Sequence, residues 1–115
     1  MKLLRAADGA LLADDVRTAG GPLGRMRGLM GQRSMPGDGL LIEPADSIHT
    51  FFMRMPIDLL FLGEGDRILK LCPAVPPWRI RLAPRGARRV LEMKEGFIRN
   101  HTLEAGMVLK ISPEI

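Results

Sequence analysis

One short stretch of the sequence concentrates side chains that could do acid–base or binding chemistry. His49, Arg54 and Asp58 fall within ten residues of one another. An imidazole, a guanidinium and a carboxylate held together can move a proton or bind a polar ligand. Asp58 is also the only polar residue in the run 57–62, so its carboxylate needs a partner if that run is buried. Arg54, across a tight turn at Pro56, and His49 are the partners that we propose for it.

The same residues allow a structural interpretation, in which Asp58 hydrogen-bonds the loop backbone and holds the Met55–Pro56 turn. The functional interpretation that we favour is a non-enzymatic binding domain for a small polar or anionic ligand. Its candidate pocket residues are His49, Thr50, Met53, Arg54, Asp58, Trp78 and Glu92. An alternative is a small hydrolase or lyase that uses His49 and Asp58 as an acid–base pair, although the sequence shows no nucleophile beside them.

A basic run follows two prolines and the single tryptophan, Trp78. Five arginines and no acidic residue occupy it: Arg79, Arg81, Arg85, Arg88 and Arg89. Guanidinium groups bind phosphates and carboxylates well, so a third hypothesis is a basic docking surface for RNA or an acidic protein. A solvated loop is the commoner use of such a run, and no nucleic-acid motif accompanies it. We therefore expect a small anion, and not nucleic acid, as the partner.

The sequence lacks the usual signatures of metal and cofactor sites. It contains two histidines and one cysteine, widely separated, and this spacing does not suit zinc. We therefore expect no metal and no cofactor, and we expect Cys72 to be a small core residue. A lone cysteine also favours a reducing compartment, so the expected location is the cytoplasm.

Short apolar runs separated by turn residues predict the elements that position these side chains. Asp8-Gly9 predicts a hairpin, and Ile57 to Leu62 predicts a strand buried on both faces. Pro22 and the apolar spacing after it predict a short helix near residues 22–32. Further strands are expected over 40–43, 48–53, 67–72, 88–93 and 107–111, with a single helical turn or an irregular segment between Gly96 and Gly106. The fold class is therefore mainly β: a small barrel or sandwich of short, mostly antiparallel strands.

Length and composition agree with one globular domain over residues 1–115. Hydrophobic residues make up 46% and charged residues 26% of the chain, which excludes full disorder. Charges, glycines or prolines interrupt every window long enough to span a bilayer, so we expect no membrane partner. The net charge of +4 fits an acidic partner but also lies within the range of ordinary soluble domains. The oligomeric state is left open.

Several motifs in order resemble a known family. The motifs are Gly28-Leu29-Met30-Gly31, Gly39-Leu40-Leu41, the block from His49 to Asp58, Phe61-Leu62, Val90-Leu91-Glu92 and Gly96. Together they resemble the family called domain of unknown function 192, an uncharacterised bacterial and archaeal group. The resemblance implies a compact, mainly β single domain and no particular activity. It marks His49, Thr50, Met53, Pro56, Asp58 and Glu92 as pattern positions, whereas Gly106-Met107 stands where the family pattern has Gly-Asp.

Overall fold

Strands account for most of the regular structure in the computed structural model, which describes residues 1–19 and 33–113. The strands are β1 (Lys2–Arg5), β2 (Leu11–Ala13), β3 (Val16–Thr18), β4 (Gly39–Ile42), β5 (Ile48–His49), β6 (Ile57–Leu62), β7 (Ile68–Val75), β8 (Ile80–Arg81), β9 (Arg89–Lys94) and β10 (Leu109–Ser112). A short helix, α1 (Phe97–Asn100), and a 3-10 turn (Glu64–Asp66) complete the regular elements of these residues. The helix expected near residues 22–32 lies outside the described residues. No described helix is long and apolar enough to cross a membrane.

The described strands form three sheets. A five-stranded sheet has the order β3-β4-β9-β6-β7, a three-stranded sheet has the order β10-β1-β2, and β5 pairs with β8 as a two-stranded ribbon. All of these pairings are antiparallel except that of β3 with β4. Among residues 1–19 and 33–113 the sheets do not close into a barrel. The mainly β, mostly antiparallel fold predicted from sequence is confirmed, and of the two predicted architectures the structure adopts layered sheets.

Two hydrophobic clusters lie on opposite faces of the five-stranded sheet, because successive side chains of a strand point to opposite faces. The first cluster includes Leu60, Leu62 and Leu91, and the three-stranded sheet and α1 pack on it. The second cluster includes Leu59 and Val90, and the β5–β8 ribbon covers part of it. Both faces of β6 are therefore covered, and all six of its residues are buried, as the apolar run predicted.

Local turn chemistry sets two of the connections. The Asp8-Gly9 hairpin forms as predicted, with Gly9 at φ +72° and the Asp8 carboxylate accepting the N–H of Ala10 at 3.0 Å. Strand β7 runs on to Val75 and so contains Pro73, whereas the strand expected from the sequence ended at residue 72. Proline is tolerated there because β7 is an edge strand of its sheet.

Candidate functional site

Asp58 holds together three elements of the fold. Its Oδ1 accepts the N–H of Ala74 at 2.8 Å, and its Oδ2 accepts the N–H of Ile98 at 2.9 Å. Because Pro73 has no N–H, the ladder between β6 and β7 shifts register at this point, and Asp58 satisfies the amide of the next residue. The side chain is 1% exposed, so the predicted buried and hydrogen-bonded Asp58 is confirmed.

The partners that the sequence suggested for Asp58, His49 and Arg54, are wrong: both oxygens of Asp58 accept backbone amides instead, and the sheet separates the carboxylate from His49. Asp58 points to the face that carries Ile98 and the first hydrophobic cluster. His49 is exposed on β5, which covers the other face. Among the hydrogen bonds and ion pairs of the described residues, none joins Asp58 to His49, Arg54 or the Met55–Pro56 turn. The His49–Asp58 pair is therefore not assembled in this structure.

Thr50 fastens the loop after β5 to the turn before β8. Its hydroxyl donates to the carbonyl of Pro76 at 2.7 Å and accepts the N–H of Arg79 at 2.8 Å. Its backbone N–H donates to the carbonyl of Arg79, and its carbonyl accepts the N–H of Trp78. Thr50 is fully buried, so these bonds are shielded from water. The loop that follows His49 is thus held rigidly against the residues around Trp78.

Four rings meet on the solvent side of this junction, and we call them the aromatic face: His49, Phe51, Phe52 and Trp78. The ring centroids of His49 and Phe51 lie 5.0 Å apart. Trp78 contacts Phe51 at 5.8 Å and Phe52 edge-on at 4.8 Å. These separations are typical of favourable aromatic pairs. The four residues therefore form one continuous ring surface.

The backbone presents two of these rings to solvent at a conformational cost. Phe52 and Trp78 have φ values of +64° and +65°, which side chains of this size rarely adopt. Each nevertheless leaves its ring more than half exposed, at 58% and 56%. In the regular strand expected over 48–53, Phe51 and Met53 would lie on the same side. The turn at Phe52 breaks that alternation and sends Met53 inward, where it is buried in the second hydrophobic cluster.

Two arginines, Arg79 and Arg81, follow Trp78 in the chain. The guanidinium of Arg79 bonds the carbonyls of Pro77 and Trp78, at 3.4 and 3.3 Å, which places it beside the backbone of Trp78. That of Arg81 bonds the carbonyl of Ile80 at 3.0 Å. Neither arginine has a carboxylate partner among the described residues, and Arg54 is exposed nearby in sequence.

Arg89 differs from the other arginines of the basic run because acidic side chains neutralise it. Its guanidinium makes two contacts with the carboxylate of Asp66, and it lies 3.7 Å from a carboxylate oxygen of Glu43. Arg85 and Arg88 are exposed. The basic run is therefore not a uniform patch, since its last member belongs to an ion-pair network.

Glu92 is buried on the face of the five-stranded sheet that carries the second hydrophobic cluster. It lies on β9 between Leu40 and Leu59 on the neighbouring strands, and it is 3% exposed. Its Oε2 has no hydrogen-bond partner among the described residues. Burial without a partner disfavours the charged form and raises the pKa of Glu92 to about 7. Glu92 can therefore hold a proton near neutral pH, but the side chains packed around it shield it from solvent.

The seven candidate pocket residues thus fall into separate environments. His49 and Trp78 belong to the aromatic face, and Thr50 is part of the junction beneath it. Arg54 is exposed and follows His49 by five residues in the chain. Met53, Asp58 and Glu92 are core residues. The described residues contain no cluster of three His, Cys, Asp or Glu side chains arranged to hold a metal ion. Sequence reasoning did not include Phe51 and Phe52, although two adjacent phenylalanines in a chain with few aromatics were a usable signal.

A family model called DUF192 and described as "Uncharacterized ACR" matches residues 4–111. The chain belongs to this family. An archaeal relative from Thermococcus kodakarensis, named as a UPF0127 protein, is 30% identical over 96 residues, or 79% of this chain and 60% of the relative. A second from Thermococcus sibiricus is 30% identical over 109 residues, or 90% of this chain and 70% of the relative. The DUF192 resemblance recognised in the motifs is confirmed.

Solved structures resemble this fold closely. A protein from Sinorhizobium meliloti, provisionally assigned as a transcription regulator, superposes with a TM-score of 0.79 at 24% identity, over 95% of this chain and 89% of that one. A protein of unknown function from Novosphingobium aromaticivorans superposes with a TM-score of 0.81 at 18% identity, over 96% and 84%. At these identities the likeness establishes the fold and carries no activity. This chain spans about 60% of the length of the Thermococcus kodakarensis relative.

Proposed function

We propose that this DUF192-family protein is a non-enzymatic binding domain that holds a small organic anion on the aromatic face. One observation carries the proposal: Phe52 and Trp78 adopt strained left-handed backbone conformations and are still more than half exposed, next to Arg79, whose guanidinium has no carboxylate partner among the described residues. Strain that the fold maintains at an exposed site is typical of binding surfaces. A ligand that covered those rings would remove their apolar surface from water, which favours binding.

The rigidity of the face favours binding. The four bonds of Thr50 fix the His49 loop relative to Trp78 before any ligand arrives. A preformed surface loses little conformational entropy on binding, and this raises affinity. The apolar body of the ligand would pack against the rings of Phe52 and Trp78, and its anionic group would lie against Arg79.

The anionic preference follows from the local charge. The segment from Ser47 to Ile57 contains no acidic residue, and neither does the segment from Arg67 to Leu91. These two segments supply all four rings and all of the neighbouring arginines. A charged hydrogen bond from a guanidinium to a phosphate or carboxylate is worth roughly twice a neutral one.

The acid–base alternative has less support. It needs His49 and Asp58 to share a proton, whereas both oxygens of Asp58 accept backbone amides on the opposite face of the sheet. Glu92 holds a proton but is 3% exposed, so a substrate would have to displace the covering side chains to reach it.

A nuclear magnetic resonance titration tests the proposal directly, because the single tryptophan gives a single indole N–H resonance. We expect phenyl phosphate to shift the Trp78 indole and Arg79 backbone signals in a saturable way. Inorganic phosphate, which lacks the ring, and benzyl alcohol, which lacks the charge, should each bind about five- to thirtyfold more weakly, since each loses about 1–2 kcal/mol of contact.

Variants separate the two contacts. Arg79→Gln should weaken phenyl phosphate about tenfold and leave benzyl alcohol unchanged, whereas Phe52→Ala should weaken both. Arg17→Gln, an exposed arginine of β3, is the matched control and should change neither. Equal affinity for phenyl phosphate and benzyl alcohol would contradict the proposal, as would shifts that map away from the aromatic face.

A further inference from the structure

Most of the large apolar side chains that the described residues expose gather around the β5–β8 ribbon. Phe52, Trp78, Ile80 and Leu82 are 58%, 56%, 55% and 67% exposed, and Leu11 on β2 is the fifth such residue. Ile80 lies opposite His49 in the ribbon, on the same side of it but outside the ring contacts of the aromatic face. Leu82 follows Ile80 by two residues. We call Phe52, Trp78, Ile80 and Leu82 together the apolar rim.

Arginines accompany the apolar rim in the chain. Arg81 is paired with the buried Ile48 and so lies on the other side of the ribbon from Ile80, whereas Arg79, Arg85 and Arg88 are exposed. No acidic residue occurs between Asp66 and Glu92. Exposed apolar side chains with exposed arginines close by in the chain are a combination that binds an anionic lipid surface.

We infer that the partner of this surface is the anionic face of a lipid bilayer, with the apolar rim in the interfacial layer and Arg79 against lipid phosphates. This inference rests on the proposed function, because it names lipid phosphate as the anion that the aromatic face holds. Tryptophan and arginine both favour the depth of the headgroups, where a ring is partly dry and a guanidinium meets phosphate. The expectation of no membrane partner came from the absence of a spanning segment, and surface binding does not need one.

The type of exposed side chain favours a bilayer over nucleic acid or protein. Ile80 and Leu82 cannot stack on bases, so they would add little to a nucleic-acid site. A protein partner gains most from anchors that fill pockets. Among the described residues, one cavity of about 250 Å³ is lined by residues of β2 and α1, including Leu12 and Phe97, and by no member of the apolar rim. A bilayer requires no such pocket.

Vesicle binding monitored by Trp78 fluorescence tests the inference. Vesicles of phosphatidylcholine with phosphatidylglycerol should shift the emission to the blue and sediment the protein, and vesicles of pure phosphatidylcholine should do neither. Raising the salt concentration should weaken binding. Arg79→Gln should lower the partition coefficient about fivefold, equivalent to about 1 kcal/mol for one cation near an anionic bilayer.

The apolar rim provides variants that separate the bilayer from a free anion. Ile80→Ser with Leu82→Ser should lower vesicle partition at least tenfold and leave phenyl phosphate binding unchanged. Leu11→Ser is the matched control, because Leu11 is equally exposed on another sheet, and it should bind vesicles like the wild type.

The outcomes distinguish the two proposals. Phenyl phosphate binding without vesicle binding would overturn the bilayer inference and leave the proposed function standing. Loss of both would overturn both. Tighter binding to single-stranded RNA or to polyglutamate than to anionic vesicles would also overturn the inference, in favour of a basic docking surface.

Discussion

Replacing Glu92 with Gln should remove a pH dependence from the stability of the fold. In the folded protein burial raises the pKa of Glu92 to about 7, whereas the ordinary value is 4.5. Between these two pH values the unfolded chain has lost the proton and the folded protein retains it. The stability that the protonated Glu92 contributes is therefore fully present below about pH 4.5 and is lost as the pH rises through about 7.

The magnitude follows from the size of the pKa rise. A rise from 4.5 to about 7 is worth about 3 kcal/mol, at about 1.4 kcal/mol per pKa unit. The side chain is 3% exposed, so solvent screening does not reduce this value much. Gln has nearly the same shape and carries no charge at any pH. The variant should match the wild type near pH 4.5 and be more stable by up to about 3 kcal/mol at pH 8.

Urea denaturation followed by the fluorescence of Trp78, at several pH values between 4.5 and 8, measures this difference. The other carboxylates titrate in both proteins, so their contributions cancel in the comparison. Glu95→Gln, an exposed substitution three residues away, is the control and should retain the pH profile of the wild type. A constant difference in unfolding free energy between Glu92→Gln and the wild type across this range would refute the reasoning, since it would mean that Glu92 is ionised and compensated in the fold.

Two further substitutions test the roles assigned to polar side chains. Asp58→Leu should lower the unfolding free energy by about 1–3 kcal/mol in urea denaturation, because the amides of Ala74 and Ile98 lose their acceptor, and an unchanged midpoint would show that those bonds contribute nothing. Arg89→Gln should leave phenyl phosphate binding at the Trp78 indole unchanged, since its guanidinium is bound to Asp66, and weakened binding would show that Arg89 is available to the ligand.

The parts of the fold that depend on neighbouring residues in the chain were predictable. The Asp8-Gly9 hairpin follows from turn chemistry, and the short helical turn at Phe97–Asn100 follows from the glycines around it. The continuous apolar run of β6 was enough to predict a strand covered on both faces. Its single carboxylate was predictable as buried and hydrogen-bonded, because an unpartnered one would be too costly.

The candidate site was only partly predictable, because its geometry depends on residues far apart in the chain. Strand alternation placed Phe51 and Met53 on one side, but the hydrogen bonds of Thr50 to Pro76 and Arg79 turn the backbone at Phe52. The loop is therefore shaped by partners about 26 to 29 residues away. Periodicity within a short segment carries no information about such partners.

By itself, then, the sequence determined the class of the fold, most of its strands and the burial of Asp58, since these follow from local turn chemistry and from the cost of burying polar groups. Only the tertiary structure decided which side of the sheet each functional side chain faces. It placed Asp58 and His49 on opposite faces although they are nine residues apart in the chain. It also paired Arg89 with Asp66 and brought Phe52 against Trp78. The reason is that the two faces of a sheet are separate environments. Which residues each side chain contacts depends on the elements that pack on its face, and those elements lie far away in the chain.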